Sequence, residues 1–387
     1  MKNERTVAEA FPPGEFLSEE LEARGWTQAD LAAILGRPTR LVNEIVSSKR
    51  GITPETAKGL GEAFGTGAEY WMNLESAYRL AQVKADDSVA RRALIYSKAP
   101  VKEMIRRGWI EASANVSVLE KSVVDFFGMG SIHEEPRALA HAARKSTTYV
   151  EVSPAQRAWL FRARELAQSV PTSRHYEPEL LDECVAQLRT LTSHPQEARR
   201  VPAFLSSFGI RFLVVEHLAQ TRIDGVSFWL DDLAPVIALS MRFNRIDWFW
   251  HTLMHEIGHI RSGDGRGEES PSLDLELCDD TPGVALTQTI DKEAKANRFA
   301  VETLVPQDEL ERFIARKGPL FATQAIAAFA QRIGVHPGIV VGQLQRRPDG
   351  IGYQHSRRLL EPVREIVVAS ALTDGWGQMI TTQEARL

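Results

Sequence analysis

The chain has 387 residues, a length that predicts about two to three domains. Its 43% apolar and 25% charged residues are typical of a globular protein that can bury sizeable cores. The net charge of −5 argues against non-specific capture of nucleic acid by the whole molecule. Two cysteines, Cys184 and Cys278, cannot form a disulfide framework, and no stretch reaches the roughly 18 apolar residues of a membrane span. We therefore expect a cytoplasmic protein and exclude the secreted, membrane-spanning, collagen-like and largely disordered classes.

The first eighty residues have the spacing of five short amphipathic helices. Thr27 and Thr53 are suited to cap helix N-termini, and Gly36 stands where a helix C-terminus favours a left-handed residue. The predicted helices cover residues 14–24, 27–35, 38–47, a stretch that begins at 53, and 68–82. We assign residues 1–84 to one N-terminal helical domain.

The rest of the chain predicts a helical connector followed by a mixed domain. The connector covers residues 85–195, where the periodicity remains helical. Strands are predicted at 210–215, 226–230 and 235–239, the last two as a hairpin, followed by a helix at 247–261, a polar loop at 262–289 and a helix at 290–304. We expect an α+β fold that is mainly α, with the mixed domain at 196–335 and a C-terminal extension at 336–387, helical and then irregular.

The sharpest chemical signal is the segment 255–259, which reads His-Glu-Ile-Gly-His. Two histidines four residues apart lie on one face of a helix, about 6 Å apart along its axis, so both rings can reach one metal ion. Glu256 projects close enough to act as a general base toward a water at that ion. Such a pentad arises by chance in roughly one chain in fifty. Its weight therefore depends on the residues around it.

A second predicted helix supplies the remaining groups of such a site. Hydrolytic zinc sites take three protein ligands, and we predict His255, His259 and Glu293 as the ligands of Zn²⁺. Glu302, farther along the same helix, is the alternative third ligand. Asn297 lies one turn after Glu293 and can hydrogen-bond a ligand histidine, which would fix its tautomer.

These motifs together resemble the ImmA/IrrE family of bacterial metallopeptidases. The resemblance is carried by residues 255–259, by 293–300 with the spacing Glu-x-x-x-Asn-Arg-Phe-Ala, and by the closing Leu-Val-Pro at 304–306. The stretches 224–229 and 235–240 before the helix are similar to that family as well. The resemblance implies a zincin fold and proteolysis of a regulatory protein, often a helix-turn-helix repressor.

Five further residues near the motif are weaker candidates for a role in the site. His251 lies one turn before His255, but three ligands on consecutive turns would span about 12 Å, so we predict a packed or surface histidine. Lys295 departs from the family pattern, which is more often acidic there, and we expect it to face solvent. Arg242 and His217 are candidates to stabilise an oxyanion. Cys278 is either an inhibitory thiolate ligand or, far more often for such a residue, an ordinary cysteine.

The second and third predicted helices have the proportions of a helix-turn-helix motif. In that geometry the start of the third helix meets base edges in the major groove, and basic residues after it meet phosphates. The residues predicted to contact DNA are Thr39, Arg40, Asn43, Lys49 and Arg50. Residues 1–80 carry nine basic and twelve acidic side chains, whereas residues 37–50 carry four basic and one acidic. The positive charge is thus local, which favours specific over promiscuous DNA binding.

The same N-terminal region resembles HigA-type antitoxin domains, which belong to the XRE/Cro-like helix-turn-helix class. The resemblance rests on residues 11–14, 28–32, 43–45, 53–57 and 70–75. It implies a five-helix domain, a homodimer and binding to a palindromic double-stranded DNA operator, often the protein's own. The alternative is a helical domain that only dimerises or docks a partner.

We therefore predict a DNA-binding regulator that carries a zinc-dependent endopeptidase, active in a stress, toxin–antitoxin or mobile-element response. Its substrate would be a repressor or antitoxin, or another copy of this chain cut near residues 85–150. A toxin is a further candidate partner. The alternative is a non-catalytic HigA-like antitoxin or transcription factor, in which the zinc domain is structural or senses a ligand.

Overall fold

A computed structural model describes residues 10–83, 86–135, 152–266, 272–275, 284–347 and 350–380, with only the backbone described at 272–275 and 284–290. The chain divides into two compact units, residues 1–87 and 88–387. Cys278, whose role the sequence left open, lies outside the described residues.

The described part of the N-terminal unit contains five helices, as predicted. They are α1 (Pro13–Arg24), α2 (Gln28–Leu35), α3 (Thr39–Val46), α4 (Pro54–Phe64) and α5 (Ala68–Gln82). Each helix contributes to one buried cluster, to which Leu17, Leu31, Val42, Leu60 and Trp71 belong. Burial of this shared apolar stripe holds together helices that are too short to be stable alone.

Local chemistry sets the ends of α2 and so the turn into α3. The Asp30 N–H donates to the Thr27 hydroxyl (3.1 Å), and the Thr27 N–H donates to the Asp30 carboxylate (2.8 Å). This capping box satisfies donors that the first helical turn leaves open. Gly36 ends the helix in the left-handed conformation, at φ 60°. The bounds predicted for this helix are confirmed to within one residue.

The second unit contains twelve helices within the described residues and five strands. The helices are α6 (Ser88–Lys98), α7 (Val101–Arg106), α8 (Val116–Phe127), α9 (Pro154–Ala167), α10 (Leu181–Thr190), α11 (Val201–Ser207), α12 (Ile246–Ser262), α13 (Val284–Leu304), α14 (Gln307–Lys317), α15 (Thr323–Ile333), α16 (Pro337–Gln345) and α17 (Arg364–Val368). Short 3₁₀ helices cover Pro178–Leu180, Leu191–Ser193, Pro195–Arg200 and Arg357–Leu359. The strands are β1 (Arg211–Val215), β2 (Ile223–Trp229), β3 (Pro235–Leu239), β4 (Ser272–Leu275) and β5 (Leu372–Asp374).

The strands form one mixed sheet in the order β4-β2-β3-β1-β5. Strand β1 runs parallel to β3 and β5, whereas β2 is antiparallel to both β3 and β4. The predicted hairpin of β2 and β3 is confirmed, with Gly225 opposite Leu239 and Ser227 opposite Ile237. The protein is thus mainly helical with a small mixed sheet.

Helices cover both faces of this sheet, because alternate residues of its strands belong to two different cores. On one face, Val236 and Ala238 pack with residues of α6–α9, including Trp159. The Trp159 indole N–H donates to the Val215 carbonyl (3.0 Å), which ties a helix of the predicted connector to β1. The boundaries that we drew inside residues 85–387 stay predictions.

The opposite face of the sheet carries α12, α13 and the C-terminal helices. Ile237 and Leu239 pack there with Phe249 and Leu253 of α12 and with Val340 of α16. No single described helix is long and apolar enough to cross a membrane; α15 and α16, which meet at 114°, have that length and composition only when taken as a bent pair.

Two predictions about irregular segments are wrong. The predicted polar loop at 262–289 contains β4, and α13 begins at Val284 rather than near 290. The tail predicted to be irregular contributes β5 to the sheet edge. Both strands have at most four residues, too few to show a period of two in the sequence. They form because neighbouring strand edges offer unpaired backbone groups.

Candidate metal centre and nucleic-acid interface

The metal motif lies where α12 packs closely against α13. A methyl group placed on Gly258 would lie 3.1 Å from the Ala296 Cα, a tight contact that would make the second helix give way slightly, so glycine favours this close approach. Ala296 is itself buried. The close packing brings Glu293, on the same helix, within reach of both motif histidines.

The three predicted ligands meet at one point. The Nε2 atoms of His255 and His259 lie 3.0 Å apart, and Glu293 oxygens lie 3.1 Å and 3.4 Å from them. Two ligands of a tetrahedral zinc ion at about 2.05 Å are about 3.3 Å apart, so these spacings fit one such ion. Among the described residues, these three form the one group of potential ligands within 4.8 Å of one another.

Two further side chains hold the histidines from behind. The His255 Nδ1–H donates to the Asn297 amide oxygen (3.1 Å), and the His259 Nδ1–H donates to the Asp264 carboxylate (2.9 Å). Because each Nδ1 is engaged, each imidazole presents Nε2 to the ligand cluster, as metal-binding histidines commonly do. The structure thus brings Asn297 to the place predicted for it.

Sequence reasoning missed Asp264. Gly263 ends α12 in the left-handed conformation (φ 71°), and the Asp264 N–H then donates to the His259 carbonyl (3.0 Å). This turn folds the aspartate back onto the last ligand. A Gly-Asp pair directly after the motif helix was the available signal, since glycine is common at that position.

Neighbouring groups shift the pKa values of Glu293 and His259 in opposite directions. Burial raises the pKa of Glu293, but hydrogen bonds with His255 and His259 outweigh this and lower it to about 2. Burial lowers the pKa of His259, but Asp264 and Glu293 outweigh this and raise it to about 10. In the metal-free protein, His259 therefore keeps a second ring proton, on Nε2, across the neutral range. A metal ion would have to displace that Nε2 proton.

The proposed general base lies beneath strand β2. Glu256 is fully buried, and a methyl group on Gly225 would lie 2.8 Å from one of its carboxylate oxygens. Any side chain at this position would have to push the carboxylate or its neighbours aside, so glycine lets the strand pass directly over it. Gly225 falls in a stretch that supported the family resemblance, but its spacing in the sequence predicted no role for it.

The other candidates do not join the cluster. Burial, with Arg346 and His255 adding to it, holds the pKa of His251 well below its ordinary value, which marks a neutral packed histidine. The Arg242 guanidinium forms two hydrogen bonds with Asp224 (2.9 and 3.0 Å), and the His217 ring packs against Trp376.

Two residues of α13 point away from the site. Lys295 is exposed, as expected for a position that departs from the family pattern. Glu302 is exposed as well and is not among the clustered ligands. The third position of the group is therefore filled by Glu293 and not by the alternative acid.

All five residues predicted to contact DNA are exposed and lie on or just after α3. Thr39 is its first residue, and Asn43 lies one turn later. Glu44 accepts from Arg40 (2.7 Å) and from Arg50 (3.3 Å), so one acid partly neutralises both cations.

Gln28, at the start of α2, is a further candidate that sequence reasoning did not assign to DNA contact. The Asn43 amide N–H donates to the Gln28 side-chain oxygen (3.2 Å). The two amides thereby orient each other on the exposed surface. Amide side chains of this kind pair with adenine edges in the major groove.

Comparison with known proteins matches the N-terminal unit. The helix-turn-helix family profile covers residues 17–71. Virulence-associated protein I of Dichelobacter nodosus is 41% identical over 78 residues, which are 20% of this chain and 72% of that protein. An uncharacterized HTH-type transcriptional regulator of Escherichia coli K12, YddM, is 25% identical over 79 residues, which are 20% of this chain and 84% of that protein.

The solved structures similar to this chain include a Pseudomonas aeruginosa antitoxin HigA with the higBA promoter. It is 34% identical, and the match covers 24% of this chain and 98% of that one, with a TM-score of 0.20. Because this TM-score is low, the structural similarity adds no support, and the family assignment rests on the sequence identity.

The five-helix unit is accordingly a helix-turn-helix domain, and through it the chain belongs to the helix-turn-helix family. More particularly, the domain is of the XRE type, which is a class of DNA-binding transcriptional regulators.

Proposed function

We propose that this chain is a DNA-binding transcriptional regulator whose second unit is a zinc-dependent endopeptidase that cleaves a regulatory protein. Membership of the helix-turn-helix family supports the regulatory part. The enzymatic part rests on one observation: on α12 the Nε2 atoms of His255 and His259 lie 3.0 Å apart, the two Glu293 oxygens on α13 lie 3.1 and 3.4 Å from them, and the fully buried Glu256 lies between the two histidines.

In this proposal each residue has one role. His255, His259 and Glu293 hold the zinc ion, which when bound would polarise a peptide carbonyl and acidify a water molecule. Glu256 accepts a proton from the attacking water and passes it to the amine that leaves as the peptide bond breaks. Asn297 and Asp264 fix the ligand histidines in the tautomer that presents Nε2.

Glu256→Gln tests the enzymatic part most sharply, because it removes the base and keeps the shape of the side chain. The zinc-loaded variant, labelled, serves as a substrate for unlabelled wild type, alongside purified helix-turn-helix repressors. We expect wild type to cleave at least one of these proteins and the variant to be slower by about 10²- to 10⁴-fold with its zinc content unchanged. Cleavage by the variant at the wild-type rate would refute the assigned role.

The DNA-binding part extends to a homodimer on a palindromic operator, with a toxin as a candidate partner. Two copies of α3 would then enter the major groove one helical turn apart, about 34 Å. Light scattering of the protein–DNA complex and a footprint of two half-sites test this arrangement. A single protected half-site bound by one chain would contradict it.

One observation favours a second candidate function, in which the metal centre is structural or senses a ligand. Strand β4 pairs with β2 from Ile223 to Ser227, along the edge beside Gly225 where an extended peptide would add a strand. The chain's own segment thus occupies the edge that a substrate would use. Leu273→Pro, which removes a backbone donor from β4, separates the two functions. Cleavage that rises in this variant supports a latent peptidase, whereas none under any condition supports the non-catalytic function.

A further inference from the structure

A buried serine hydroxyl lies on the side of the sheet that faces the metal centre. Ser227 is 0% exposed, and its Oγ has no hydrogen-bond partner among the residues that the structure describes. A buried hydroxyl without a partner is unfavourable, and such groups are rare in native proteins. Its presence in the middle of β2 therefore needs an explanation.

The position of Ser227 points to the metal centre. Residues two apart on a strand share a face, so Ser227 faces the same way as Gly225 and Trp229. Gly225 lies against the Glu256 carboxylate, and the Trp229 indole N–H donates to the Asp264 carbonyl (2.9 Å). Ser227 thus lies between a contact with the proposed base and a contact with the residue that holds His259.

The cross-strand register gives the same orientation independently. Ser227 is opposite Ile237 on β3, and Ile237 belongs to the core that contains α12. Residues directly opposite each other on antiparallel strands point to the same face. The hydroxyl is therefore directed toward the motif helix rather than toward the connector helices on the other side.

We propose that Ser227 is a positioning residue of the peptidase: its hydroxyl donates a hydrogen bond to the oxygen of a water molecule whose own O–H points to the Glu256 carboxylate. This inference rests on the proposed function and adds a residue to it. The hydroxyl forms no covalent bond, and the proton goes from the water to Glu256. A water that bridges buried polar groups needs two to four such partners, and the serine and the carboxylate supply two.

The test uses the full-length protein loaded with Co²⁺, whose visible absorption reports the metal site without any substrate. A hydrogen-bond donor near the metal stabilises the deprotonated, more negative form of the site. Losing this donor should therefore raise the pH at which the absorption changes. We expect the midpoint of Ser227→Ala to lie about half a pH unit above wild type, with unchanged metal content. Ser227→Thr, which keeps the hydroxyl, should restore the wild-type midpoint. With any protein that wild type cleaves, the alanine variant should lower kcat by about tenfold and leave KM unchanged.

Two matched controls make the result specific. Ser240 is a buried serine whose hydroxyl accepts from the Arg242 N–H (3.2 Å), and Ser240→Ala should keep the wild-type midpoint. Ser272 of β4 lies opposite Ser227 in the strand register, and the proposal gives it no contact with the water, so Ser272→Ala should also behave as wild type.

The outcomes against the proposal are distinct. A Ser227→Ala midpoint equal to wild type, or a Ser272→Ala variant that reproduces the shift, overturns the positioning role and leaves the metal centre intact. Loss of metal from Ser227→Ala assigns the serine a structural role instead. A wild-type protein that gives no Co²⁺ absorption overturns the metal centre itself, and the positioning role falls with it.

Discussion

The candidate DNA-reading surface and the candidate metal centre present their polar groups in opposite ways. On α3 every candidate side chain is exposed, so water satisfies it whether or not DNA is bound. Around α12, the two ligand histidines and Glu256 are at most 1% exposed, and burying such groups is unfavourable without compensation. The first surface therefore needs a sequence likeness to reveal its role. The geometry of the second points to a metal-binding role, because its buried polar groups lie at the spacing of metal ligands.

The largest expected effect concerns the proton in the metal centre. Because the pKa of His259 is raised to about 10 and that of Glu293 lowered to about 2, His259 of the metal-free site keeps a second ring proton, on Nε2, between these pH values. Zinc must displace it, so the apparent affinity should rise about tenfold per pH unit, or about a thousandfold from about pH 6 to about pH 9. Competition with a chelator whose own pH dependence is known measures this slope. An affinity that does not change with pH would contradict the buried His–Glu cluster.

The residues behind the ligands should have the next largest effect. Asp264→Ala and Asn297→Ala each remove the acceptor of one ligand imidazole, and zinc affinity should fall by roughly 10- to 100-fold. Lys295→Ala is the control, since this exposed residue lies on the same helix two positions before Asn297. If both variants bind zinc as tightly as the control, the hydrogen bonds do not orient the histidines.

On the exposed surface we expect smaller and more specific effects. Asn43→Ala removes an amide that we propose contacts a base edge, and it should weaken operator binding by about 1–3 kcal/mol while relaxing specificity at one base pair. Lys49→Ala should weaken binding to all sequences and reduce the slope of affinity against salt by about one. Fluorescence anisotropy at several salt concentrations distinguishes the two. Equal losses on operator and random DNA for Asn43→Ala would show that it does not read bases.

The smallest effect should come from Glu44, which shares its carboxylate between Arg40 and Arg50. Exposed ion pairs contribute little to stability, so Glu44→Gln should leave the unfolding temperature almost unchanged. It frees two cations for phosphates, and non-specific DNA binding should rise by about threefold. A large drop in stability instead would mean that these pairs hold α3 in place.

The predictable parts of the molecule were those encoded by local spacing. The helix limits near Thr27 and Gly36, and the meeting of His255, His259 and Glu293, follow from residues within a few turns of one helix or of two packed helices. Asp264 escaped prediction because its role depends on the left-handed turn at Gly263.

Strands β4 and β5 escaped prediction for a different reason. Each of them forms by pairing with an edge that lies more than 40 residues away in the sequence. The burial of Ser227 against the motif helix depends on the same long-range assembly. Patterns that repeat along the chain do not encode such contacts.

Metal content tests the central claim most directly. Wild type, Glu293→Ala and the control Glu302→Ala, all purified without added metal, would be examined by elemental analysis. We expect about one zinc ion per chain in wild type and in the control, and a sharp loss in Glu293→Ala. Wild type that contains no zinc and fails to take it up, or a Glu293→Ala variant that keeps its full content, would contradict the metal centre described above.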